Sequence, residues 1–234
     1  MATYVLVHGG WSGGHTFRRV RPLLQAAGHA VFTPTLTGVG DRVHLGSGLV
    51  NLSTHVRDVV NLVLYEDLSG IVLLGYSYGG AVVTGAVQHI GDRIGHLVYL
   101  DAFVPGDGDT VSGLAGRPPT GRISLGEPWL VPPPERGYED PEEAAFATVR
   151  RTPHPAACFT EPVRLTRPLE EHGFGLTYVR ATADAADAPG AAAFERAAAH
   201  ARASAAWRYR EIATTHMIPS NRPAELAGLL LELE

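Results

Sequence analysis

Ser77 stands at the centre of Gly75-Tyr76-Ser77-Tyr78-Gly79, directly after the apolar run 71–74 and before Gly80, Ala81, Val82 and Val83. In a strand, turn, helix context this spacing suits a nucleophile. The serine must sit on a sharp turn, and side chains two residues to either side would strike neighbouring backbone. A serine hydroxyl needs a base, and His216 follows the last strand-like run and precedes the closing helix. The base needs an acid, for which two aspartates compete. Asp101 ends the apolar run 97–100, a strand expected to be central, where an unpaired carboxylate would cost several kcal/mol and a partner imidazolium would satisfy it. Asp184 follows the run 176–179, but a loop position near Asp187 is also explained by solvation. The residues favour Asp101, with Asp184 as the alternative acid. Stabilising an oxyanion calls for backbone donors: Tyr78 at the start of the following helix, and Gly10 in the turn His8-Gly9-Gly10-Trp11.

These residues need a scaffold that brings them to one edge. Apolar runs at 4–7, 30–33, 71–74, 97–100, 176–179 and 207–212 alternate with helical periodicity. Phe17, Val20, Leu24 and Ala27 stripe one helix ended by Gly28. Val56, Val59, Val60, Val63 and Leu64 stripe another, with Asn51 and Ser53 as cap candidates. Leu226, Leu229, Leu230 and Leu233 stripe a third, with Pro223 in its first turn. An Ala-rich helix falls within 181–206. Continuous apolar strands separated by helices predict an α/β fold with a six-stranded, mostly parallel sheet covered by helices on both faces. One domain spans 1–234. The pattern breaks at about 103–173, which holds 12 of the 17 prolines and is expected to be an inserted lid. Within it Trp129, Leu130, Phe146 and Phe159 are candidates for an apolar pocket wall, and His154 for a substrate contact.

Composition excludes other classes. All 19 basic residues are Arg, so no Walker-type loop, Schiff-base lysine or Ser-x-x-Lys nucleophile exists. A net charge of -5 gives no footprint for nucleic acid or an anionic membrane, and Arg18, Arg19 and Arg21 are expected to be a solvated helix face. Nothing approaches 18 consecutive apolar residues. The single Cys158 and the lack of a signal-like N-terminus point to a reducing, cytoplasmic setting, with Cys158 as a small buried residue. No His pair has ligand spacing with a nearby carboxylate, so no metal or cofactor is expected.

The motifs Val5-Leu6-Val7-His8-Gly9-Gly10-Trp11, Thr35-Leu36-Thr37-Gly38-Val39-Gly40-Asp41-Arg42, Gly75 to Gly80, Tyr99-Leu100-Asp101-Ala102-Phe103-Val104-Pro105 and Thr215-His216-Met217 run nearly end to end. In them the chain resembles small α/β-hydrolases of the plant methylesterase and hydroxynitrile lyase type, and bacterial relatives from secondary metabolism. The resemblance implies the α/β-hydrolase fold, a compact lid over Ser77, and Gly10 and Tyr78 as oxyanion donors. In the plant enzymes the acid follows the penultimate strand, which matches Asp184, whereas pancreatic-type lipases use an Asp after the earlier strand, as at Asp101. The lyases use a Lys beside the catalytic His and a Thr in the first turn, where this chain has Met217 and Gly9. The expectation is therefore a serine carboxylesterase acting on a small apolar or aromatic ester. Two alternatives stand beside it: a cyclase, lyase or cofactor-free oxygenase acting on a polyketide-like metabolite, and a small-molecule receptor on a hydrolase scaffold.

Overall fold

The structure is a computed structural model and describes residues 1–116 and 129–233. Part of the expected lid, 117–128, lies outside the described residues. Chain order begins β1 (Thr3–Val7), α1 (Arg21–Ala26), β2 (Ala30–Phe32), α2 (Leu52–Tyr65), β3 (Ile71–Tyr76), α3 (Gly79–Ile90) and β4 (Ile94–Leu100). After β4 come the short pieces α4 (Val111–Leu114), β5 (Leu130–Val131), α5 (Pro141–Thr148), β6 (His154–Pro155) and α6 (Ala157–Thr160). The pattern resumes with β7 (Gly175–Ala181), α7 (Ala191–Ala203), β8 (Trp207–Ile212), α8 (Ile218–Asn221) and α9 (Pro223–Leu231).

Six strands form one sheet in the order β2-β1-β3-β4-β7-β8, and every pairing is parallel. Because side chains alternate along a strand, each strand feeds two cores. Val5, Leu73, Leu97, Tyr99 and Tyr178 face the core shared with α2, α3 and α7. Leu6, Leu74, Val98, Leu100 and Val179 face the core shared with α1 and α9. Both faces are thus covered, which accounts for continuous apolar runs in place of an alternating pattern.

Local expectations differ from the structure in a few places. Asn51, not Ser53, caps α2: its side chain accepts the Thr54 N–H in a capping box, while Ser53 binds the Glu161 carboxylate. Leu64 leaves the α2 stripe and is 43% exposed, because the buried face is already filled by Val56, Val59, Val60 and Val63. Leu233 lies beyond the end of α9. Arg18 and Arg19 are not a free solvated face; they pair with Glu143 and Asp140 at the start of α5. With Thr152 N–H to Trp11 O (3.1 Å) and Trp11 Nε1–H to Val131 O (2.9 Å), these contacts tie the 103–173 segment to the loop after β1.

Candidate active site

Strand register brings the chemistry together. Tyr76 pairs with Leu100, and Leu100 with Val179, so β3 and β4 stop at one level while β7 runs two residues further, to Ala181. Ser77 and Asp101 are the next residues on two of them. A ligand site at the carboxyl edge of a parallel sheet is the general expectation for such folds.

Three non-glycine residues at this edge have left-handed backbone: Trp11 (φ 61°), Ser77 (φ 56°) and Asp101 (φ 41°). Such conformations cost on the order of 1 to 3 kcal/mol each and persist only where surroundings enforce them. Around Ser77 the enforcement is visible. A Cβ on Gly75 would lie 2.6 Å from Gly79 O, and one on Gly79 would lie 2.7 Å from both Val7 O and His8 O. The chain between β3 and α3 therefore turns within van der Waals contact of the β1 end, and only glycine fits on either side of the serine.

His216 lies in the loop after β8. Its Nε2 is 2.9 Å from Ser77 Oγ and its Nδ1 is 2.7 Å from Asp101 Oδ2. The network assigns the Nδ1–H tautomer, donating to Asp101 and leaving Nε2 to accept from the serine hydroxyl. Burial lowers the His216 pKa below 6.5 despite the opposing pull of Asp101, so the ring is neutral at pH 7. Phe194 stacks on it at 5.1 Å, and Tyr76 holds its backbone through a 2.8 Å hydrogen bond to His216 O. Asp184, the alternative acid, lies in the same cluster, within 4.8 Å of the Asp101 carboxylate and a His216 ring nitrogen, but the hydrogen bond its Oδ2 accepts is from the His216 backbone N–H at 3.0 Å. Asp184 thus grips the loop, while Asp101 meets the ring.

Asp101 is fully buried and has more partners than an imidazole. Arg180 Nη1 donates to its Oδ1 at 2.5 Å and the Ala181 N–H at 3.2 Å. Sequence reading missed Arg180. Its signal was a charge immediately after the apolar run 176–179, in a strand that continues to Ala181.

Gly10 and Tyr78 N–H donate to no protein acceptor among the described residues, so both are free for a ligand. His8 orders the first of these turns. Buried and held neutral, its pKa pushed down to about 3 by desolvation, it joins Gly9 O (2.7 Å) to the Leu36 N–H (3.0 Å).

A cavity of about 540 Å³, including its open mouth, lies over Ser77 and His216. Its floor includes Gly9, Gly10, Trp11 and Tyr76. From the 103–173 segment come Arg136, Tyr138, Glu143, Phe146, Ala147 and Arg151. Of the expected pocket residues Phe146 lines it, whereas Trp129, Leu130, Phe159 and His154 do not. Leu130 pairs with Pro155 in the two-stranded ribbon, Trp129 packs against the glycines 46 and 48, and Phe159 stacks behind Trp11 at 5.2 Å. His154 is fully buried, its Nδ1 accepting the Trp11 N–H. It lies near His55 and Cys158, their donor atoms within 4.8 Å of one another. No sequence spacing announces that cluster. His55 already binds Tyr78 Oη (2.9 Å) and Thr37 O (2.7 Å), and burial pushes the Cys158 thiol up to about 12, so it keeps its proton.

Neutral buried imidazoles make a prediction about acid. His8 (about 3), His96 (about 4), His55, His154 and His216 all have pKa values lowered mainly by burial. The unfolded chain binds protons at 6.5 where the folded one does not, so their contribution is complete above pH 6.5 and is lost as pH falls toward 4. His8 and His96 each contribute up to about 1.4 kcal/mol per pH unit in that window, and the other three act in the same direction. Urea midpoints should fall steeply from pH 7.5 to pH 4.5; a flat profile would show these rings already protonated in the fold.

Among the described residues no helix is long and apolar enough to cross a membrane. Comparison with known proteins adds the lineage. A carbendazim hydrolyzing esterase of Nocardioides sp. (strain SG-4G) is 51% identical over 114 residues, 49% of this chain and 47% of that protein. Salicylic acid-binding protein 2 of Nicotiana tabacum is 33% identical over 105 residues, 44% of this chain and 40% of that one. The chain thus matches under half the length of these curated relatives. A solved extracellular alpha/beta-hydrolase from a Paenibacillus species superposes with a TM-score of 0.80 at 23% identity, covering 100% of this chain and 99% of that one. The parallel sheet, the serine on its tight turn and a match of residues 4–229 to the alpha/beta hydrolase family model agree, and the chain belongs to that family.

Proposed function

We propose that this protein is a serine carboxylesterase working through an acyl-enzyme. The observation that carries the reading is the continuous hydrogen-bonded chain Ser77, His216, Asp101, at 2.9 and 2.7 Å, under a cavity lined by Gly10, with the Gly10 and Tyr78 N–H groups unused among the described residues. Ser77 Oγ attacks the ester carbonyl as His216 Nε2 takes its proton, and Asp101 holds the imidazole in its tautomer and stabilises the imidazolium. The Gly10 and Tyr78 N–H groups receive the oxyanion. His216 then protonates the departing alcohol, and water repeats the sequence to release the acid. Esterase-named relatives support the ester-hydrolase reading. The 103–173 segment acts as the lid, its residues between Arg136 and Arg151 supplying part of the cavity wall.

Acid-quenched reaction with an aryl acetate tests the mechanism. Mass spectrometry should find one acetyl group on the peptide carrying Ser77, and a serine-directed phosphonate should label the same residue. Turnover with neither adduct would overturn the acyl-enzyme and favour carbon-acid chemistry by His216.

A further inference from the structure

Besides its aromatic walls the cavity holds two cations, Arg136 and Arg151. Neither pairs with a carboxylate among the described residues. Each spends a donor on a loop carbonyl, Arg136 on Pro189 O (3.3 Å) and Arg151 on Pro134 O, which anchors the guanidinium and leaves other N–H groups unused. Glu143, the acid in the cavity wall, is engaged by Arg18 and faces Arg19 at 3.9 Å. Both arginines are half-buried, and burial together with Arg136 pulls the Arg151 pKa down, so like charges are held together at a desolvation cost without a counter-ion. Arg136 is also felt at His216, where its charge opposes protonation.

We propose that Arg136 and Arg151 form an anion subsite, so that the favoured substrate is an ester carrying a carboxylate or comparable monoanion on the half that lies under the lid. This deepens the esterase reading and rests on it for turnover, though not for binding. Planar guanidinium groups suit a carboxylate, and Trp11, Tyr138 and Phe146 would pack its hydrocarbon or aromatic body. Charge-assisted hydrogen bonds of this kind contribute about tenfold or more to discrimination.

Two matched pairs of esters decide it. 4-Acetoxybenzoate against 4-acetoxybenzamide places the anion on the alcohol half, and monophenyl glutarate against phenyl butyrate places it on the acyl half. At low salt the wild type should favour the anionic member of one pair at least about tenfold in kcat/KM, and the pair that responds identifies the half. High salt should shrink that ratio, a readout that needs no variant. The ratio should fall to about one in the Arg136→Gln/Arg151→Gln double variant. Equal kcat/KM within both pairs, or a preference that survives in the double variant, would overturn the subsite and leave the esterase standing. Should no ester be turned over, the esterase reading fails separately. Equilibrium binding of 4-hydroxybenzoate against 4-hydroxybenzamide then decides the subsite: tighter carboxylate binding, lost in the double variant, supports it, and equal binding sinks it.

Discussion

Ser77→Ala is expected to lower kcat for an aryl acetate by about six orders of magnitude, the usual consequence of removing a triad nucleophile. What remains is the work of the Gly10 and Tyr78 donors and of substrate positioning. The substitution deletes one oxygen whose partner is His216 Nε2 at 2.9 Å, and it leaves the glycines 75 and 79 and the helix start intact. Alanine is strained at φ 56° no more than serine is, so thermal unfolding should stay near wild type. A variant that keeps its fold and hydrolyses within tenfold of the parent would remove Ser77 from the chemistry.

The second large effect separates the two aspartates. Asp101→Asn should cost about four orders of magnitude in kcat, because an amide at 2.7 Å from Nδ1 can offer its NH2 and favour the wrong tautomer. Asp184→Asn keeps an acceptor for the His216 N–H and should cost tenfold or less. The Asp101 variant also leaves Arg180 without its buried carboxylate, so its melting temperature should drop while that of Asp184→Asn holds. Equal losses in the two variants would overturn the assignment, and normal rates in both would dismantle the triad.

Much of the fold was legible because its determinants are local. Six apolar runs set the strands, and Gly75 and Gly79 mark the turn because steric exclusion acts over five residues. Asp101 was readable by energetics, as a charge at the end of a run that must be buried. Arg180 was not, since its value depends on β7 running past the end of β4 and so lying beside Asp101, which no single run reveals. The cavity walls were the least readable part. Trp129, Leu130 and Phe159 are large apolar side chains, but a proline-rich segment lacks the periodicity that tells an inner face from an outer one. Arg136 and Arg151 escaped notice for the same reason: in sequence they are two cations among 19.

Three of the four left-handed non-glycine residues among those described gather at one edge of the sheet, the fourth being Asp67. Drift under pressure for stability alone would bring glycine to positions 11, 77 and 101, where it relieves backbone strain at no steric cost. The chain instead has a tryptophan, a serine and an aspartate there, in the floor of the cavity, under the His216 ring nitrogen and behind the imidazole. Glycine at these three positions is therefore the substitution that a scaffold without chemistry would tolerate best.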